Sequence, residues 1–115
     1  MKDVNGEIQY KGNTYKLVFN LNVMEEIQEE YKSLKEWGEL TDGENGEPDA
    51  KAVIFGFWCM LNEGIDIQNE ENGTDLKPFT RKQVGRMITE FGLANATNKL
   101  NKTVIDSTKS KEKNV

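Results

Sequence analysis

Histidine is absent from the 115 residues. Its loss removes the side chain that titrates near neutral pH, and with it the usual general base and the commonest metal ligand. A single cysteine, Cys59, permits no internal disulfide and cannot supply a zinc site of the usual ligand count. Inside an apolar segment it reads as a buried thiol acting as a small hydrophobe. Neither GxxxxGKS/T nor GxGxxG occurs, so no glycine-rich phosphate cradle is visible. The densest apolar run, Ala52 to Leu61, is too short for a bilayer, which needs about 20 apolar residues. Met1 is followed by a polar, charged stretch and not by the apolar core of a signal peptide. These absences predict a non-enzymatic intracellular protein with no cofactor, no bound metal and no membrane partner.

What is present is a soluble globular composition with a thin core: 36% hydrophobic and 30% charged residues, enough for one domain. The net charge of -5 conceals an asymmetry. Residues 1–76 carry 6 basic against 17 acidic residues, and residues 77–115 carry 9 against 3. Halves of opposite sign attract each other or, at the basic end, an acidic partner. Internal pairing plus solvated faces is the expected outcome.

The core is expected around AKAVIFGFWCMLNEG, residues 50–64. On a helical wheel Val53, Ile54, Phe57, Trp58, Met60 and Leu61 share one broad face, with Ala52, Phe55 and Cys59 on the other side. A helix apolar nearly all round is a central one. Asp49 is its expected N-cap and Gly64 its expected C′ residue.

Before it, Ile8 and Tyr10, then Tyr15, Leu17 and Phe19, alternate with polar residues about Lys11-Gly12-Asn13, a hairpin pattern. The period then changes. Val23, Met24, Ile27, Tyr31 and Leu34 form a helical stripe, with Asn22 and Glu25 in a capping-box arrangement. Ser33 restarts or extends this helix through Trp37 to Leu40. Two acidic loops are expected, Thr41–Asp49 and Ile65–Pro78. Neither fits a calcium-binding EF-hand, because no frame from Asp42 or Asp66 places Gly at position 6 and Glu at 12. Thr80 and Gln83 form a second capping box, opening a helix with Val84, Met87, Ile88 and Phe91 on one stripe. After Gly92, Leu93, Ala96, Thr97, Leu100 and Val104 continue at helical spacing. Residues 106–115 are expected to form a disordered basic tail behind a single domain of residues 1–105. The fold class is therefore α+β, mainly helical, with an N-terminal β-hairpin packed on about four helices.

Two functional classes follow. Helix, Gly92, helix within residues 80–105 loosely suggests a DNA-binding pair, with Asn95, Asn98, Lys99, Asn101 and Lys102 toward the nucleic acid. Gly92 alone leaves little room for the usual turn of about 3–4 residues. The acidic remainder opposes a polyanion, so nucleic acid is not the expected partner.

The second class comes from resemblance. The hairpin GEIQYKGNTYKLVFNLN, the helix VMEEIQEEYKSLKEW, the central AVIFGFWCML and the helix start Pro78–Val84 together resemble the tail assembly chaperones of long-tailed bacteriophages. The similarity spans roughly Gly6 to Leu100. The Ile65–Pro78 insert is longer than the link associated with the pattern. The resemblance implies a chaperone in the host cytoplasm that binds the tape measure protein and assists tail tube assembly, without remaining in the finished particle. It further implies a longer form made by frameshifting in many members. Candidate partner-binding residues are Ala52, Phe55 and Cys59, with Arg81, Lys82 and Arg86 as a charged rim. Whether Phe55 and Cys59 face a client, a twin subunit in self-association or the hairpin stays open at this level.

Overall fold

The computed structural model describes residues 6–42 and 46–113, with backbone alone over 109–113. Strands β1 (Glu7–Tyr10) and β2 (Asn13–Lys16) pair antiparallel, with Tyr10 opposite Asn13 and Glu7 opposite Lys16. The two linking residues, Lys11 and Gly12, have φ of 51° and 82°. Two positive values in succession give the hairpin turn whose twist matches that of the strands. Five helices follow among the described residues: α1 (Leu21–Tyr31), α2 (Leu34–Thr41), α3 (Ala50–Asn72), α4 (Arg81–Phe91) and α5 (Leu93–Lys113). The molecule is α+β and mainly helical, a hairpin leading into a helical bundle.

Local signals set most helix starts. Asp49 caps α3 by accepting from the Ala52 N–H at 3.0 Å. Thr80 and Gln83 close the reciprocal capping box of α4 at 3.1 and 2.8 Å. Ser33 restarts the chain as α2, accepting from Glu36 N–H, after Lys32 turns through φ 70°. At α1 the cap is Asn20 and not Asn22: Asn20 has extended backbone and its side chain accepts from Val23 N–H. The third position after Asn20 is thus Val23, so no capping box forms there. Asn22 instead donates to Glu63 on α3.

Two larger departures have tertiary causes. Helix α3 does not stop at Gly64 but runs on to Asn72 and ends at Gly73, a left-handed C-cap with φ 67°. The first half of the expected acidic loop Ile65–Pro78 is therefore helix. Gly64 serves a close approach: a Cβ there would collide with the carbonyl of Lys16 at the end of β2. With no side chain at 64, the strand reaches in and Val18 N–H donates to the Met60 carbonyl at 3.2 Å. The second departure is the basic tail, which continues as α5 through Lys113. Ser107 fastens it by donating to the Phe19 carbonyl at 3.0 Å. Asn114 and Val115, the end of the expected tail, lie outside the described residues.

The core is built on α3. Val53, Phe57, Met60 and Leu61 are fully buried with Val23 and Ile27 of α1, Val84 and Met87 of α4, and Leu100 of α5. Trp37 of α2 presses on Gly56, where a Cβ would collide with its ring, and its indole N–H donates to the Ala52 carbonyl at 3.0 Å. The faces of α3 differ from the wheel expectation. Ala52, Phe55 and Cys59 are buried, whereas Ile54 and Trp58 are only partly so. The stripe left at the surface is Lys51, Ile54, Trp58 and Asn62.

Two substitutions test this core. Phe57→Ala empties a fully enclosed site and should cost about 3–5 kcal/mol in chemical denaturation; a midpoint near wild type would contradict the central placement of α3. Gly64→Ala should cost about 1–3 kcal/mol by forcing β2 away from the helix. An unchanged melting temperature would rule out that close approach.

Candidate partner-binding face

The surface stripe of α3 borders α4, and the two helices leave an open groove between them. Its lining is Lys51 and Ile54 from α3, with Arg81, Lys82, Gly85, Arg86 and Thr89 from α4. Four of these seven are cations and none is acidic. Its apolar floor is Ile54, extended by the methylene stems of the Lys and Arg side chains.

Position along the groove is fixed by the segment that precedes α4. Asn62 holds Phe79 from both sides, accepting from its N–H at 2.8 Å and donating to its carbonyl at 3.0 Å. The Trp58 indole N–H donates to the same carbonyl at 2.9 Å. Phe79 also meets the hairpin, edge-on to Tyr15 at 5.1 Å and to Tyr10 at 6.4 Å. This pinning sets where Thr80 caps α4, and so where Arg81 projects.

Arg81 lies over aromatic faces, its guanidinium 5.3 Å from the Phe55 ring centre and 5.8 Å from that of Trp58. Such contacts are worth about 0.5–1 kcal/mol at exposed sites. Phe55 continues the stack to Tyr31 at 5.8 Å, edge-on. The Tyr31 hydroxyl is buried without a hydrogen-bond partner among the described residues. Burial raises its pKa, and the carboxylates of Asp49 and Glu30 add to the rise. Cys59 sits beside this stack. Burial holds its thiol protonated, reinforced by the neighbouring Glu26 carboxylate, so it is an inert core thiol.

The sequence-predicted residues therefore divide. Ala52 is fully enclosed, and Phe55 and Cys59 are 6% and 3% exposed. They form the interior behind the face and do not present a surface. The reason is that α1 and α2 cover that side of α3, through Tyr31 on Phe55 and Trp37 on Ala52. Arg81, Lys82 and Arg86 are exposed and come together on the groove as a charged rim. Lys51, Ile54 and Gly85 complete it without having been singled out. Gly85 carried a signal: glycine inside an amphipathic helix costs about 1 kcal/mol relative to alanine. Nothing among the described residues requires it, since an added Cβ would meet only Ile54 Cδ1 at 3.8 Å.

Among the described residues, Lys51, Lys82 and Arg86 make no ion pair. Elsewhere, Asn95 donates to the Phe91 carbonyl and Asn101 to the Thr41 carbonyl, so two side chains considered for DNA reading are engaged within the fold. Helices α4 and α5 meet at Gly92 alone. A second depression, lined by Ile8, Phe57, Phe91 and Ala96 with Glu7 and Lys99 at its edge, lies under β1. No set of three or more Cys, Asp or Glu side chains among the described residues could hold a metal ion. No helix among them is long and apolar enough to cross a membrane. The chain matches no family model, no curated protein and no solved structure.

Burial of Phe55 sets the expected result of a charge there. Phe55→Asp places a carboxylate between Tyr31 and Trp58 and should lower stability by about 3–5 kcal/mol, read as a large drop in melting temperature. A variant that melts like wild type would return Phe55 to the surface.

Proposed function

We propose that the protein is a non-enzymatic tail assembly chaperone of a long-tailed bacteriophage. In this role it acts in the host cytoplasm, holding segments of the tape measure protein while tail tube subunits assemble around them. The observation that carries the proposal is the α3–α4 groove, open along its length, floored by Ile54 and rimmed by Lys51, Arg81, Lys82 and Arg86.

Holding a client reversibly calls for such a surface. A long helical client exposes apolar stripes until the tube encloses them, and a shallow groove covers part of a stripe without enclosing the segment. A charged rim raises the encounter rate and limits which stripes are accepted. The weak apolar floor suits release, because few buried side chains means a modest residence time. The resemblance of residues 6–100 to the chaperone family supports the same role.

Co-expression with the tape measure protein of the same phage tests the proposal. The expected result is a several-fold rise in soluble tape measure protein, with the two recovered together. No rise with the wild-type chain would remove the chaperone role.

A further inference from the structure

We propose that the α3–α4 groove takes an acidic amphipathic helix from another chain, a proposal that specifies the client segment and rests on the client-holding role above. Its carboxylates meet Lys51, Lys82 and Arg86, and its apolar ridge lies on Ile54 over the gap at Gly85.

Charge gives the sign of the occupant. One exposed cation means little in water. Here four converge on one groove in a chain with five more acidic than basic residues. Lys51, Lys82 and Arg86 have no ion-pair partner among the described residues, while Arg81 is held over Phe55 and Trp58. The open floor requires an apolar side as well, since Ile54 is partly exposed among the cations.

Backbone chemistry gives the shape. Both walls are helices, whose main-chain donors and acceptors are used internally. They offer no edge to an extended strand, so a segment lying on Ile54 must satisfy its own backbone. A helix does that. From Arg81 to Thr89 the groove follows about two turns of α4, and Gly85 lies midway, where the missing side chain lets another helix come close.

A second copy is the obvious rival, because α1 carries exposed Glu25, Glu26, Glu29 and Glu30. Its apolar stripe, however, is occupied by its own core through Val23 and Ile27. Beside its carboxylates the α1 surface offers one strongly exposed apolar side chain, Leu21 at the helix start, and one side chain is not a ridge. A duplex fits less well again: its phosphates offer Ile54 no apolar ridge, and a chain with five more acidic than basic residues opposes a long polyanion.

The test uses the full chain and fluorescence anisotropy with three probes. These are a 20-residue helical peptide with leucine at i, i+3, i+4 and i+7 flanked by glutamate, its twin with lysine for every glutamate, and a 20-base-pair DNA duplex. The acidic peptide should bind at least tenfold tighter than the lysine twin and weaken several-fold between low and high salt. Lys82→Glu with Arg86→Glu should reduce its affinity at least tenfold. Gly85→Leu should do the same with the melting temperature unchanged or raised, which separates blocking from unfolding. Equal binding of the twin, binding indifferent to these substitutions, or no binding of the acidic peptide overturns the proposal. Tighter binding of the duplex overturns it in favour of a phosphate site. Self-association in sedimentation that the double charge reversal abolishes overturns it in favour of a second copy. Failure of the two proposals is distinguishable. Acidic-peptide binding without tape measure rescue sinks only the chaperone role; rescue that survives the double charge reversal sinks only this site.

Discussion

The closeness with which other backbone and rings approach α3 governs the rest of the molecule. Gly56 and Gly64 are about two turns apart on that helix, and both positions are filled from outside, by the Trp37 ring and by the Lys16 carbonyl. Each approach carries a hydrogen bond to an α3 carbonyl, Trp37 Nε1 to Ala52 and Val18 N–H to Met60. Polar groups brought this deep without partners would cost about 1–3 kcal/mol each, so the two bonds and the two glycines work as sets. Once they are in place, α2 and the hairpin are anchored on α3. The remaining sides then fall to α1, α4 and α5, leaving one stripe uncovered.

That stripe is joined to the groove by the segment before α4. Asn62 mimics a neighbouring strand by pairing with both main-chain groups of Phe79, and Trp58 adds a third bond. Since Thr80 caps α4 immediately afterwards, the position of one asparagine on α3 determines the start of α4. The start of α4 in turn puts Arg81 on the Phe55–Trp58 pair. A line of contacts thus runs from the core, through Phe55, to the charged rim. It explains how a buried aromatic influences the face without being part of it.

Legibility in the sequence followed the range of the interaction involved. Caps at Asp49, Ser33 and Thr80–Gln83 are local in sequence, as is the alternation about Lys11-Gly12, and each could be read directly. Gly64 could not: glycine after an apolar run has the local signature of a C′ residue, and only the Lys16 carbonyl turns it into a packing site. Phe55 and Cys59 were ambiguous for a related reason. A helix apolar on nearly every face gives the wheel no polar side from which to orient it, and the choice belongs to Tyr31 and Trp37. The polar end of α5 has no apolar stripe to announce it, and its visible anchor is Ser107 on a carbonyl 88 residues away. Of the face itself, Arg81, Lys82 and Arg86 were legible as a basic cluster, whereas Lys51 and Ile54 join them only through the packing of α3 on α4.

The groove gathers three features that do not serve the chain's own stability. Gly85 lowers helix propensity with no contact to justify it, Ile54 leaves apolar surface in water, and Lys51, Lys82 and Arg86 repel one another without a carboxylate between them. Each feature is small alone, a few tenths to about one kcal/mol. Each also has an available remedy: alanine at 85, a polar residue at 54, or one acidic substitution on an exposed helix face. Elsewhere the glycines at 56 and 64 are filled by neighbours and the α4 cap is closed reciprocally, while Leu21 and Ile105 stay exposed and the Tyr31 hydroxyl is buried without a partner among the described residues. Three such features on one face are what the proposed occupant would account for. The three violations share one remedy as well. A helix bearing carboxylates beside an apolar ridge would fill the gap at Gly85, cover Ile54 and neutralise the cations together.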